Sequence, residues 1–396
     1  MPGEFIFVVC QNGSGAALKR ELAAHHPQLK FAFSRPGFLT FKATDANLPE
    51  RFSLKSTIAR TYGWSLGNAK GENAKELVEQ VVDQLEQQAT KHLHVWQRDH
   101  DIPGSRGFEP TPTVLATEVG QRVVAAAKNR NLELVLNRNA GVDDKVFDLT
   151  IVEPNQWWMG FHIAGSPAGR WPGGAPLLPQ PVEEKEVVSR AYYKLFEALM
   201  WAGIHIKDGD VCAEIGSSPG GACQLLLERN AKVIAIDPAE LEPEIAEHEN
   251  LRYIRARGKE VKKRELKDVR WLMADLNVAP KYTLDTIEEI VTNQNVTKVM
   301  GLVLTLKMPD WKLVEEIPGW IERVKSFGFQ HVRTRQLAFS RREICLIGVR
   351  DKFALRSSNK KAGTKKHSKK RSAQKSHVSK QDVQDEQIKA TQTTKE

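Results

Sequence analysis

The 396-residue sequence has little cysteine and scatters it: Cys10, Cys212, Cys223 and Cys345. No Cys-x-x-Cys pair occurs, so the spacing of structural zinc sites is missing. Reduced core thiols and no metal are expected. No apolar run approaches the roughly 20 residues that cross a bilayer. The start, Met1-Pro2-Gly3-Glu4, lacks the basic n-region of a signal peptide. These absences point to a cytoplasmic protein with no membrane segment. Acidic residues are missing from 357–380, a stretch that holds nine Lys or Arg.

That stretch decides how the net charge of +9 is distributed. Residues 357–396 hold eleven basic and four acidic residues, a net +7, which leaves only +2 for residues 1–356. A nucleic-acid site in the body must therefore be a local patch. The tail, 354–396, has no aromatic residue and little apolar content, so disorder is expected. It reads either as a phosphate-binding arm with salt-sensitive affinity or as a solubilising tail.

The body divides at a Pro/Gly-rich stretch, 166–186, which reads as a linker. Before it, 5–10 reads as a strand, 15–26 as a helix and 30–43 as a hairpin. Residues 74–93 carry Leu77, Val78, Val81, Val82 and Leu85 at helical spacing. This β-α-β-β-α order predicts a ferredoxin-like α+β layer over 1–100. A second part, 101–165, has a helix at 115–129 and strands at 132–137, 145–152 and 157–162. Its paired Trp157 and Trp158 suit the core better than base stacking. After the linker, a helix at 187–202 opens the last domain, 187–353. Apolar runs at 210–215, 231–236, 251–254, 270–274, 298–306, 329–338 and 343–349 alternate with helical stretches at 219–229, 260–267, 281–292 and 311–326. Seven strands with interleaved helices predict an α/β, doubly wound sheet whose last two strands form an antiparallel hairpin at one edge.

Within that domain, Glu214-Ile215-Gly216-Ser217-Ser218-Pro219-Gly220-Gly221 follows a strand and opens a helix. Its glycines let the backbone turn sharply against a ligand. No Gly-Lys-Ser/Thr follows, which excludes a P-loop. Asp237 ends the next strand, where an acid suits a ribose diol. Asp237 with Pro238 also suits a helix cap, and a dinucleotide would fit the loop as well as S-adenosylmethionine. Four more ionisable residues stand at edges of apolar segments: Lys194, Asp275, Lys307 and Glu343. Taken singly, each reads as half of a surface ion pair. Together, two lysines and two carboxylates beside a nucleoside loop suit removal of a proton from a poorly acidic hydroxyl.

The elements Ser189–Leu195, Glu214–Gly221, Ala274-Asp275-Leu276, Leu306-Lys307-Met308-Pro309 and Arg342-Glu343 resemble the FtsJ-like family of S-adenosylmethionine-dependent RNA 2′-O-methyltransferases. The Leu-Lys-Met-Pro element and the long N-terminal region resemble its RlmM type, which acts on a cytidine of large-subunit rRNA. The resemblance spans 4–352, by motif in 187–350 and by element order before it. It implies a Rossmann-like methyltransferase sheet over 187–353, a THUMP-like RNA-binding part in 101–165, and RNA as partner. It also implies catalytic roles for Lys194, Asp275, Lys307 and Glu343, with Lys307 as general base. Ser189, Gly216, Ser218, Pro219, Gly220, Gly221, Asp237 and Asp275 would bind the cofactor. Partial burial, Lys194 and the sulfonium would lower the Lys307 pKa, whereas a close Asp275 contact would raise it.

Two departures stand out. Ala222 replaces an aromatic common after the glycine pair, and Arg257 replaces an acid near the adenine; arginine accepts no hydrogen bond from the adenine amine. They motivate the alternative of a non-catalytic RNA-binding protein on a methyltransferase fold. A base-nitrogen methyltransferase is disfavoured, because Asp275-Leu276-Asn277-Val278 stands where such enzymes often carry Asn/Asp-Pro-Pro-Tyr/Phe.

Overall fold

A computed structural model describes residues 4–44, 48–178, 186–293 and 298–350. The tail at 354–396 and residues 179–185 of the expected linker lie outside the described residues.

In the N-terminal half, eight strands form one sheet: β1 (Phe5–Val9), β2 (Leu29–Arg35), β3 (Phe38–Ala43), β4 (Thr61–Lys70), β5 (His92–Gln97), β6 (Val135–Leu136), β7 (Lys145–Glu153) and β8 (Gln156–Ile163). Their order is β2-β3-β1-β4-β8-β7-β5-β6. Three helices accompany it, α1 (Gly15–His25), α2 (Ala74–Glu86) and α3 (Val114–Lys128). Helix α2 forms where the sequence places its apolar stripe, and Leu77, Val78, Val81, Val82 and Leu85 are all buried. Asn73 caps it by accepting from the Glu76 N–H at 3.1 Å, while Glu76 accepts from the Asn73 amide. That pairing satisfies an otherwise open helix N-terminus.

The helix expected to run to 93 stops at Glu86. Ala89 turns the chain with φ of 47°, and strand β5 follows. Strands β4 and β5 were not anticipated, and they join the expected parts: β4 pairs with β8, and β5 with β7. Trp157 is buried, and Trp158 stacks on Phe33 with centroids 5.0 Å apart, so both serve the core.

The second half is the expected Rossmann-like α/β sheet. Its strands are β9 (Val211–Ile215), β10 (Lys232–Ile236), β11 (Leu251–Ile254), β12 (Trp271–Ala274), β13 (Gly301–Lys307), β14 (His331–Arg335) and β15 (Glu343–Val349). The order is β11-β10-β9-β12-β13-β15-β14. Pairs from β11 to β13 are parallel, while β15 runs antiparallel to both β13 and β14. Helices α4 (Ala191–Ala202), α5 (Gly221–Leu227), α6 (Pro243–Ala246), α7 (Pro280–Val291) and α8 (Ile317–Ser326) surround it. Apolar side chains fill the strands because both faces are covered. The helix expected at 260–267 is instead two 3₁₀ turns, Gly258–Glu260 and Lys263–Leu266. The one expected at 311–326 starts as the 3₁₀ turn Trp311–Glu316; Pro318 falls in the first turn of α8, where its missing N–H costs nothing.

The halves share one apolar core and meet through buried polar contacts as well. Gln336 N donates to Thr57 O at 2.7 Å, and Arg335 donates to Arg60 O and Gly174 O at 3.0 and 2.8 Å. Arg60 in turn forms a buried two-bond pair with Asp99 at 2.8 Å each.

Candidate active site

The strand order reverses between β10-β9 and β9-β12, and loops leaving the carboxyl ends of such strands form a crevice. The glycine-rich turn leaves β9, Asp237 follows β10, Asp275 follows β12 and Lys307 ends β13. Antiparallel pairing then adds what parallel strands alone cannot: the register sets Lys307 directly opposite Glu343, the first residue of β15. Helix α4 contributes Lys194.

The four side chains close an alternating square. Lys307 Nζ lies 2.6 Å from Asp275 Oδ1 and 2.7 Å from Glu343 Oε2. Lys194 Nζ bonds Asp275 Oδ2 and lies 3.1 Å from Glu343 Oε1. Glu343 is the most enclosed at 7% exposure and Lys307 the most open at 24%, so the lysine faces the solvent side. With both lysines protonated the square is electrically neutral, which makes the burial of four charges tolerable.

Burial alone would raise the Asp275 carboxyl, but the Lys194 and Lys307 ammonium groups outweigh it and hold the carboxyl below its ordinary value. Burial works to lower the Lys307 pKa, yet Asp275 and Glu343 overcome it and raise it. The expected lowering of Lys307 is therefore corrected for the protein without ligands: two carboxylates at hydrogen-bond distance stabilise the cation more than partial burial destabilises it.

The cofactor-loop candidates surround this square. Gly216 has φ of 83°, and a Cβ there would meet Asp275 O at 2.6 Å. Only glycine allows β9 to turn so close to the strand carrying Asp275. Gly220 also has positive φ, at 121°, and Gly221 packs against Ser189 without room for a side chain. Pro219 directly precedes this glycine pair, its carbonyl accepting from Glu242 N at 2.9 Å. Ser189 Oγ and Ser217 Oγ are buried with no hydrogen-bond partner among the described residues. Two such hydroxyls at a glycine-rich turn fit a polar ligand, because unpaired buried hydroxyls are otherwise costly. Ser217 was not among the expected contacts.

Two other expected contacts have structural engagements. The Ser218 hydroxyl donates to Glu240 O at 2.7 Å. Asp237 accepts from Ser218 N at 3.1 Å and from Ala239 N at 2.8 Å, so its carboxylate braces the loop as a cap would. Both oxygens retain lone pairs for a diol. Glu214, beneath the loop, was also missed. It is fully enclosed, takes a 3.2 Å hydrogen bond from Cys223 Sγ, and burial pushes its carboxyl up to about 8. A small cavity beneath the square is lined by Ala191, Lys194, Glu214, Ala222, Asp275 and Thr305. Ala222 thus keeps open a volume that an aromatic would fill. Arg257 is exposed, and its main-chain N–H donates to Glu260 Oε2 at 3.0 Å.

A wider groove, bounded by Val211, Lys232, Asn250, Arg264 and Asp268, opens at the other end of the strands and shares no residue with the square. Among the described residues, no group of three or more His, Cys, Asp or Glu side chains is placed to hold a metal ion. No described helix is long and apolar enough to cross a membrane. All four cysteines are buried and free.

A parallel sheet with this hairpin edge and a glycine-rich turn facing an acid define a Rossmann-like domain of the methyltransferase class. Its residues 187–342 match the family described as FtsJ-like methyltransferase. The chain is 26% identical over 187 residues to the Ribosomal RNA large subunit methyltransferase M of Halorhodospira halophila, covering 46% of this chain and 52% of that protein. Its likeness to the methyltransferase M of Hahella chejuensis is 24% over 264 residues, 63% of this chain and 67% of that one. A 49-residue stretch is 51% identical to the Ribosomal RNA large subunit methyltransferase E of Thermoplasma acidophilum, 12% of this chain and 23% of that protein. The chain spans about half the length of most of the curated relatives it matches.

Proposed function

We propose that this protein transfers a methyl group from S-adenosylmethionine to a ribose 2′-oxygen of RNA, with a cytidine of large-subunit rRNA as target. The observation that carries this reading is the alternating square of Lys194, Asp275, Lys307 and Glu343 beside the glycine-rich turn. When bound, S-adenosylmethionine supplies a methyl group on a positively charged sulfur, whose C–S bond breaks as the C–O bond forms.

Lys307 takes the ribose hydroxyl proton, and for that its Nζ must be neutral. Neutralising an ordinary lysine at pH 7 costs roughly 4–5 kcal/mol, and the two carboxylates add to that cost before ligands bind. A Lys307 without its proton leaves the square with one net negative charge, which a cationic ligand nearby offsets. Asp275 and Glu343 orient Lys307, and Lys194 balances their charge so that they do not hold the proton on Lys307 too firmly. Ser189, Ser217, Ser218, Asp237, Asp275 and the backbone from Gly216 through Pro219 and Gly220 to Gly221 form the cofactor contacts. The N-terminal region, with a THUMP-like part over 101–165, presents the RNA, and such a substrate implies a cytoplasmic site of action.

The rival, a non-catalytic RNA-binding protein, draws on Arg257 and on the raised Lys307 pKa. The deciding experiment incubates the protein and labelled S-adenosylmethionine with total RNA from cells lacking the protein, then maps any modified ribose. A single labelled 2′-O-methyl position supports the enzyme; RNA binding without label transfer supports the rival.

A further inference from the structure

Two residues that flank Lys194 in sequence, Arg190 at the N-cap of α4 and Glu197 within it, hold one turn from both sides. Arg190 Nη2 donates to Phe339 O at 2.7 Å. The buried Glu197 carboxylate accepts from Ala338 N at 2.9 Å and from Phe339 N at 3.0 Å. The Phe339 ring stacks on Tyr193 with centroids 5.4 Å apart. Positions 190, 194 and 197 fall on one face of a helix, so the clasped turn and Lys194 lie on the same side of α4. This turn leads within four residues to Glu343. The clasp therefore joins the two elements that bring Lys194 and Glu343 together.

The clasp is not closed by the methyltransferase domain alone. Arg190 Nε and Nη2 bond both oxygens of Glu109 at 2.6 and 3.1 Å, and Glu109 belongs to the N-terminal half. A planar guanidinium held in this two-bond fork loses most of its rotational freedom. Gly104 lies so close that a Cβ there would meet the Arg190 Cδ at 2.5 Å, so the 100–109 loop packs directly on this side chain. The same loop accepts from Arg341 Nε at Pro103 O, 2.9 Å away, two residues before Glu343. Gln11 adds a further contact, donating to Ser340 O.

We infer that Glu109 is a positioning residue for methyl transfer: by fixing Arg190 it sets the Phe339 turn, and through it the placement of Glu343 against Lys194 and Lys307. The N-terminal half then does more than carry RNA; it completes the geometry of the catalytic square. The inference rests on the proposed function only for its kinetic consequence, since the clasp itself is a geometric statement.

The test uses full-length Glu109→Gln, which keeps size and polarity but loses the charge-assisted fork, with Glu109→Asp and Arg190→Gln beside it. Hydrogen exchange at the Ala338 and Phe339 amides is measured first, and both should open faster in Glu109→Gln while the β13 and β15 amides stay protected. Single-turnover methylation at saturating RNA and cofactor should then fall about tenfold to hundredfold, the scale of a small misplacement of reacting groups. Cofactor and RNA dissociation constants should hold. Glu109→Asp should recover part of the rate, and Glu109→Gln/Arg190→Gln should be no slower than Arg190→Gln alone. Unchanged exchange at 338–339, a loss wholly explained by weaker RNA binding, or independent losses in the double variant would each overturn the inference. If wild type transfers no methyl group, the proposed function fails, and the exchange measurement alone decides the clasp.

Discussion

At the scale of single residues, charge placement decides more than charge identity. Carboxylate neighbours favour the protonated forms of both Lys307 and His162, but in different settings. His162 bonds Asp148 Oδ2 and Gly169 O at 2.5 Å each, so both ring nitrogens donate. Burial would lower its pKa, but Asp148 and the Gly169 carbonyl outweigh burial and raise it. A raised folded pKa means stability that is fully present below the unfolded value near ~6.5 and is lost as pH rises through the folded one. His162→Gln should therefore cost about 3–5 kcal/mol at pH 6, as for breaking a buried ion pair, and less at pH 9. Denaturant titration at both pH values checks this; an equal cost at both would remove the protonated histidine from the account. Asp275 has the opposite sign: its lowered pKa gives stability above the ordinary carboxylate range that is lost as pH falls through the folded value.

At the scale of elements, the site depends on where strands end. The glycine-rich turn must pass beside the Asp275 main chain, so Gly216→Ala should cost about 1–3 kcal/mol for the left-handed backbone. It should also weaken S-adenosylmethionine binding by displacing Asp275; chemical denaturation and calorimetry read the two effects, and an alanine variant with wild-type values for both would refute the close approach. All four members of the square were legible in the sequence because each stands at the edge of an apolar run, and the short 336–342 return makes β15 antiparallel. Lys307 opposite Glu343 comes from the β13–β15 pairing, which the sequence did not show. The Lys307 pKa was not legible, since burial and carboxylate contact push it in opposite directions and only distances decide. Strand β4 was hidden by two glycines and polar residues within Thr61–Lys70, and β5 by apolar spacing that continues past the end of α2. The Glu109–Arg190 pair spans 81 residues and leaves no periodic trace.

At the scale of the whole molecule, the two sheets share an apolar core and buried polar contacts, and most of the chain's net basic charge belongs to its last forty residues. Residues 1–356 carry only +2 of the chain's +9. Deleting residues 357–396 should lower RNA affinity and flatten the slope of log affinity against log salt, because fewer phosphates are neutralised. Coincident slopes for full-length and shortened protein would show that the tail does not touch RNA in that complex.

The central claim, that Lys307 removes the ribose proton, is tested most directly by single-turnover methylation of the mapped RNA across a pH series. Wild type should gain rate by about tenfold per pH unit below the Lys307 pKa, because only the neutral amine is a base. Lys307→Ala should lose roughly 10²–10⁴ in rate with cofactor and RNA binding nearly intact. Lys307→Arg should fail as well, since guanidinium keeps its proton. A Lys307→Arg enzyme working at near wild-type single-turnover rate would contradict the base and leave the square with an electrostatic role alone.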